Sequence, residues 1–466
     1  MDGLKIQGGT RLHGEVHVSG SKNASLPIMA AALLAGGKSV LQGVPDLADV
    51  RATTRVLEHM GVRAERVGDT LELDASNISR YEAPHDLVRT MRAPILVLGP
   101  LVARFGCAKV SLPGGCPIGT RPIDQHLKGL YFLGAKIEVE CGYVLASAPS
   151  GLHGAEVEFD IPTVTGTENL LLAATLARGT TVLRNCAQEP EIIDLAGALA
   201  TMGADIQGAG TPEITIRGCA NLQPYTHHVI ADRIECGTFL IAGALAGDPL
   251  TVVGAMAEHQ MALIDKLRAV GADVSIDGNR ITVARPSTIG PVDVKTAPYP
   301  GFPTDMQAQF MALLALSKGT SVITETIFEN RFMHVTELNR LGANVRINGS
   351  RAVVHGVSQL SGSTVVATDL RASACLVLAG LVADGETVTR RIYHLDRGYE
   401  QLEAKLQAVG AKITRFKELP AHASHGHPET AIKDKKNPTM KLCNHSKSVC
   451  LCHTAEVGVH EELPTP

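Results

Sequence analysis

Tryptophan is absent from this 466-residue chain, and all aromatic residues together make up 3% of it. Proteins that stack the bases of a single strand need a platform of aromatic rings, so that class is excluded. Positive charge is not in excess either: 43 Lys and Arg stand against 47 Asp and Glu, a formal net charge of −4. Without a basic footprint, no nucleic-acid partner is expected. No apolar run approaches the roughly 18–20 residues of a membrane span, so no membrane partner is expected. The start, Met1-Asp-Gly-Leu-Lys-Ile6, has no apolar core of a secretory leader. Most cysteines stand singly (Cys107, Cys141, Cys186, Cys219, Cys236, Cys375) rather than in the close framework of a small disulfide scaffold. The expectation is a reduced, cytoplasmic protein, long enough for two cores.

What is present is a repeat. The phrases Met60-Gly-Val, Leu133-Gly-Ala-Lys-Ile, Met202-Gly-Ala-Asp-Ile, Val270-Gly-Ala-Asp-Val, Leu341-Gly-Ala-Asn-Val and Val409-Gly-Ala-Lys-Ile carry glycines spaced by 73, 69, 68, 71 and 68 residues. Chance does not hold a period over five intervals. Each phrase ends an amphipathic helix: Tyr399, Leu402, Leu406 and Val409 fall on one face of a 3.6-residue period, and Gly410 follows as a C′ residue. Earlier in each unit lies a helix that is apolar nearly all round, as in Leu26–Leu34, Leu170–Ala177 and Ala374–Val382, which predicts burial. A Gly turn and a β-branched run follow, such as Gly179-Thr-Thr-Val-Leu183 and Gly319-Thr-Ser-Val-Ile323. Six such units predict an α/β protein of two similar globules, three units each; a unit of about 70 residues is long for an open solenoid.

Charge collects where the apolar helices begin: Lys22-Asn23, Arg92, Thr163 to Gly166, Asp232-Arg233, Thr304-Asp305 and Asp369-Leu-Arg371. Asn, Thr and Asp there read as N-caps. Cations do not, because they oppose the helix dipole and require an anion. For Arg233 and Arg371, each close to an Asp in sequence, a carboxylate partner is favoured. For Lys22 and Arg92, a seat for a phosphate or other oxyanion is favoured. A second set, Arg121, Arg331 and Arg397, stands where the outer helices begin. Two globules facing each other across these cations would enclose a small, phosphorylated, polyanionic ligand. One further stretch is chemical in character, Ser111-Leu-Pro-Gly-Gly-Cys116-Pro-Ile-Gly-Thr-Arg121-Pro-Ile-Asp124. It sets a thiol on a stiff Gly/Pro loop near a guanidinium, the setting of a reactive or proton-transferring cysteine.

These motifs, with Gly20-Ser-Lys-Asn23, Thr90-Met-Arg-Ala93, Thr165-Gly-Thr-Glu-Asn169, Asp232-Arg-Ile-Glu235, Pro300-Gly-Phe-Pro-Thr-Asp305-Met-Gln307, Phe328-Glu-Asn-Arg-Phe332 and Asp396-Arg-Gly-Tyr399, resemble the UDP-N-acetylglucosamine enolpyruvyl transferases of bacterial cell-wall synthesis. The resemblance runs from Met1 to about Lys417. It implies a two-domain inside-out α/β barrel of six repeats, one domain spanning 22–230 and carrying the Cys116 loop, the other 1–21 plus 231–417. It implies phosphoenolpyruvate and UDP-N-acetylglucosamine as substrates, joined by addition and elimination, with no metal, no cofactor, and a monomer or weak homo-oligomer. By the same resemblance Cys116 is the acid toward C3 of phosphoenolpyruvate, and Asp305 accepts the sugar hydroxyl proton or positions that hydroxyl. Lys22, Arg92, Arg121 and Arg397 hold phosphate, Lys22 and Arg397 counting as catalytic with Cys116 and Asp305; Arg331 and Arg371 hold the carboxylate or the closed domain pairing, and Asp369 counts among the substrate-binding residues. Asn23 touches the sugar, and Ile327 and Phe328 line its pocket. Arg121, Pro122, Ile123, Asp124 and Gln125, with Thr163, Val164, Thr165 and Gly166, cradle the uridine diphosphate. Alkylation of Cys116 by an epoxide of the fosfomycin type is also implied.

Two departures from the family pattern stand out. The loop Asp46-Leu-Ala-Asp49 has no lysine, which reads as peripheral variation, and Ala231 replaces a proline at the domain crossover, which predicts a looser hinge. Residues 418–466 lie outside the resemblance. Their Cys443, His445, Cys450, Cys452 and His453 match no paired zinc module, so a disordered extension is expected.

Overall fold

A computed structural model describes residues 2–88, 91, 93–112, 118–119 and 122–417. Within them lie six four-stranded sheets with one shared plan. In the third, Glu156–Glu158 runs parallel to Thr180–Arg184, which pairs antiparallel with Glu213–Arg217, which pairs antiparallel with Asp205–Gln207. The other five repeat the order: one parallel edge strand, then three mutually antiparallel strands. The strands after the predicted Gly turns form as read, at Thr180–Arg184 and Thr320–Thr324.

The six repeat glycines all adopt left-handed backbone: φ is 107° at Gly61, 94° at Gly134, 102° at Gly203, 96° at Gly271, 91° at Gly342 and 105° at Gly410. A side chain at such φ is strained, which is why glycine recurs at these turns. In the last unit Tyr399, Leu402, Leu406 and Val409 are all buried, but the helix begins only at Leu402. Tyr399 precedes it because Gln401 is itself left-handed at φ 49°. The Tyr399 hydroxyl instead lies 3.0 Å from Thr238 Oγ1 and 3.1 Å from Gln309 Nε2.

The apolar helices are buried as their composition predicts: Lys22–Ala31, Leu98–Phe105, Val164–Ala174, Arg233–Ala246, Gln307–Leu314 and Leu370–Val382. Their side chains form two clusters, one running from Ala24 to Val229 and one combining Leu4–Val16 with Ile234–Ile413. A large-to-small change in either costs about 2–5 kcal/mol.

Three strands reach across the sequence to complete distant sheets. Asp2–Gln7 pairs with Glu386–Arg390 and Lys412–Lys417, Leu12–His17 lies parallel to Gly247–Val253, and Thr226–His228 returns to Lys38–Gln42. The chain therefore passes between the two clusters twice, near residues 20 and 231. Gly20 and Ala231 form an antiparallel bridge there. Ser21 N donates to Ile230 O at 2.7 Å and Asp232 N to Ser19 O at 2.9 Å, so the crossover at Ala231 is a hydrogen-bonded double strand. No described helix is long and apolar enough to cross a membrane.

Candidate active site

Lys22 opens the first buried helix. Ser21 is its N-cap, accepting from Ala24 N at 3.2 Å, and Lys22 N donates to Asp232 Oδ2 at 3.2 Å. Lys22 Nζ lies 3.4 Å from Asp49 Oδ2. Asp49 stands in the first turn of helix Ala48–Met60, and its Oδ1 accepts from Arg397 Nε at 2.9 Å. Burial strips water from Lys22 and lowers its proton affinity; Asp49 opposes that, while Arg371 and Arg397 add to it. Burial by itself would raise the Asp49 carboxyl, but Lys22 and Arg397 together outweigh it and hold the group below the usual carboxylate range.

Asp305 sits in the short turn Thr304–Met306 ahead of Gln307–Leu314. It caps nothing. Oδ1 accepts from Arg331 Nη2 at 2.7 Å, and Oδ2 accepts from Arg371 Nε at 3.1 Å and Nη2 at 2.8 Å. Both guanidinium side chains are only 4% exposed. Arg371 also lies over the Tyr399 ring, 5.4 Å from its centroid, and its Nη1 is buried without a hydrogen-bond partner among the described residues. Burial would raise the Asp305 carboxyl, yet the two guanidiniums hold it well below the usual range. Lys22 feels Arg371 and Asp305 as well as Asp49 and Arg397, so the two clusters share one region.

Carboxylate partners for Arg233 and Arg371 are present, but they are not the neighbouring aspartates. Asp232 and Asp369 cap their helices, accepting from Ile234 N and Glu235 N at 2.8 and 3.0 Å, and from Arg371 N and Ala372 N at 2.9 and 3.0 Å. Arg233 instead donates through Nε to Glu191 at 3.0 Å, as Arg371 does to Asp305. A cap already occupied by backbone amides has little left for a guanidinium on the same turn. Asn23 lies within the first helix, half-buried, and Arg331 lies four residues before the helix Val335–Arg340 rather than at its start.

Further along the chain, Pro122 and Ile123 lead into helix Asp124–Phe132. The Gln125 amide donates to Asp124 Oδ2 at 2.8 Å and Asp160 Oδ2 at 2.9 Å. Thr163 caps Val164–Ala174, accepting from Gly166 N at 3.3 Å. His126, fully buried, joins the two helices: Nε2 is 3.1 Å from Thr165 Oγ1 and Nδ1 is 2.9 Å from Asn169 Nδ2. An amide nitrogen only donates, which assigns the ring proton to Nε2, facing Thr165. Ile327 and Phe328 donate their backbone N–H groups to Glu325 Oε1 at 2.8 and 3.3 Å, and Arg331 lies over the Phe328 ring at 5.3 Å. Asn330 N donates to Ile118 O at 3.0 Å. Cys116, Arg92 and Arg121, like the segment 418–466, lie outside the described residues. Elsewhere burial pushes thiols up and out of use, Cys186 to about 12 and Cys236 and Cys375 further.

The loop Asp46-Leu-Ala-Asp49 is not peripheral: Asp49 links two predicted site cations, and Asp46 N donates to Glu400 Oε1 at 2.7 Å. Glu400 Oε2 also accepts from the Ser19 hydroxyl at 2.5 Å. Neither Asp49 nor Glu400 carried a sequence signal. An acid in a first helical turn is ordinary, and the partners are 27 and 348 residues away.

Two three-sheet clusters with buried cations between them define the enolpyruvyl-transferase class of fold. The solved enolpyruvyl transferase NikO from Streptomyces tendae superposes with a TM-score of 0.79 at 28% identity, over 89% of this chain and 98% of that one. EPSP synthase from Acinetobacter baumannii shares the fold, with a TM-score of 0.70 at 18% identity over 90% of this chain and 100% of that one. The profile of the EPSP synthase (3-phosphoshikimate 1-carboxyvinyltransferase) family matches residues 6–406. Among curated relatives, the UDP-N-acetylglucosamine 1-carboxyvinyltransferase of Anaeromyxobacter sp. (strain Fw109-5) is 60% identical over 422 residues, 90% of this chain and 100% of the relative. Its namesake in Myxococcus xanthus is 56% identical over 420 residues, with the same coverage. The chain belongs to the enolpyruvyl-transferase family and, within it, to the UDP-N-acetylglucosamine 1-carboxyvinyltransferases.

Proposed function

We infer that this chain transfers the enolpyruvyl group of phosphoenolpyruvate to the 3′-hydroxyl of UDP-N-acetylglucosamine and releases phosphate, the first committed step of peptidoglycan precursor synthesis. The observation that carries the reading is the pairing of cations: Lys22 with Arg397, and Arg331 with Arg371, each pair gathered on one carboxylate. Phosphoenolpyruvate brings two anionic groups, a phosphate and a carboxylate, and two cation pairs match them. The sugar nucleotide, with its diphosphate, would lie along Pro122–Gln125 and Thr163–Gly166.

In the proposed reaction C3 of phosphoenolpyruvate gains a proton while the sugar oxygen bonds to C2, giving a tetrahedral phospho-ketal. Loss of a C3 proton and cleavage of the C2–O bond to phosphate then restore the alkene. Cys116 is the proposed acid, with Lys22 and Arg397, helped by Arg92 and Arg121, stabilising phosphate as it leaves. Asp305 is a poor base while both guanidiniums hold it. A substrate carboxylate that takes over Arg331 and Arg371 frees Asp305 to receive the hydroxyl proton, so its basicity rises when substrate is present. Asn23, Ile327 and Phe328 contact the sugar in this reading.

Two bodies, 22–230 and 1–21 plus 231–417, are the proposed domains, supported by the two apolar clusters and the paired crossover. A cytoplasmic location and a monomer or weak homo-oligomer complete the proposal. The test follows phosphate release from phosphoenolpyruvate with UDP-N-acetylglucosamine in one tube and shikimate 3-phosphate in another. Release only with the sugar nucleotide, abolished in Cys116→Ala, is expected. Release with shikimate 3-phosphate would reassign the acceptor.

A further inference from the structure

Among the described residues Asp49 is the one that touches both Lys22 and Arg397, two of the cations proposed for the phosphate, and it joins the two halves: Lys22 comes from the first buried helix, Arg397 from the turn Ile392–Arg397. Its side chain has no capping duty, since helix Ala48–Met60 has Leu47 at its N-cap and no side-chain cap bond. Both carboxylate oxygens go to cations. A structural acid at a helix start would face solvent or backbone amides; this one is 9% exposed and accepts from no backbone amide among the described residues. The loop carrying it is held from the far half as well, through Asp46 N on Glu400. Arg397 is the looser partner, 34% exposed against 11% for Lys22, and so the one an incoming anion reaches first.

We propose that Asp49 is a positioning residue that stands in for the substrate's phosphate: it keeps the Lys22 ammonium charged beside Arg397 before substrate binds, and yields Arg397 to the phosphate when that group arrives. The proposal rests on the reading of Lys22 and Arg397 as phosphate ligands. Two consequences have opposite signs. Asp49 competes with phosphate for Arg397, which weakens binding of the anion and eases its release as product. Asp49 also protects the charge on Lys22, which otherwise sits buried among Arg371 and Arg397 with Asp305 as its further counter-charge among the described residues. Without Asp49 the lysine loses its proton at lower pH and the phosphate seat fails early in the alkaline range.

Binding of inorganic phosphate to the full chain tests this by calorimetry at about pH 6.5 and about pH 9, with Cys116→Ala as parent to remove thiol titration. Each unit of lost Lys22 pKa is a factor of ten in its charged fraction on the alkaline side. Adding Asp49→Asn should therefore weaken phosphate at the higher pH by about tenfold or more relative to the lower pH, beyond any change in the parent. Asp49→Glu, which keeps the charge, should track the parent. Asp49→Asn with a pH ratio equal to the parent's, whatever its absolute affinity, overturns the proposal, as does an alkaline loss in Asp49→Glu as steep as that expected of Asn. A parent that binds no phosphate at either pH overturns instead the phosphate-ligand reading on which the proposal stands.

Discussion

The two ion-paired carboxylates of the site are alike in chemistry and opposite in construction. Asp305, Arg331 and Arg371 all come from the second half of the chain, so their cluster exists whether or not the halves meet. Asp49 and Lys22 come from the first half and Arg397 from the second, so their cluster is complete only when the halves are together. One cation pair is local to one half of the chain, and the other is shared between the halves. On the proposed reading of these cations, the carboxylate end of phosphoenolpyruvate would have a seat preformed within one half, and the phosphate end a seat that needs both halves.

Asp305 offers the largest way to break that contrast. Removing it leaves two guanidiniums, each 4% exposed, without their anion. Asp305→Ala should lower stability by about 3–5 kcal/mol in urea unfolding, and phosphate-release turnover by about 10²–10⁴-fold. Arg397→Ala removes a partly exposed group of the shared cluster. It should cost about 10²-fold or more in kcat/KM for phosphoenolpyruvate, while the unfolding midpoint barely moves. If both variants lost equal stability, the distinction would fail.

Acid sharpens the comparison further. Asp305 and Asp49 both have folded carboxyls held below the ordinary range. Such groups contribute stability above the unfolded value of about 4, and lose it as pH falls through the folded value. Urea midpoints should therefore decline below about pH 4, less steeply in Asp305→Asn than in the native chain. The smallest effect is expected at Glu400, which fixes the Asp46–Asp49 loop through a backbone amide. Glu400→Ala should raise KM for phosphoenolpyruvate severalfold, the equivalent of about 1 kcal/mol for the hydrogen bond lost by the loop (the other, from Ser19, is outside it), with kcat little changed.

Much of the architecture was legible because its signals are local and repeated. A glycine forced into left-handed backbone every 68 to 73 residues marks each unit, and an apolar helix marks each core layer. The pairing of distant strands was legible only through the family resemblance, which joins 1–21 to 231–417: nothing in Asp2–Gln7 or Leu12–His17 itself says that each completes a sheet of the second half. At the site, cations at helix starts were visible because they defy the dipole rule. The anions answering them were not. Glu191 lies 42 residues from Arg233 and Asp305 lies 66 from Arg371, while the near aspartates Asp232 and Asp369 were spent on capping. Asp49 was invisible for the opposite reason, because an acid opening a helix breaks no rule.

The most direct measurement is a crystal structure of the full chain with UDP-N-acetylglucosamine and inorganic phosphate bound. The account predicts phosphate on Lys22 and Arg397, with Arg397 no longer paired to Asp49 and the Asp305–Arg331–Arg371 cluster unchanged. Phosphate bound elsewhere, with Asp49 still holding both cations, would contradict it.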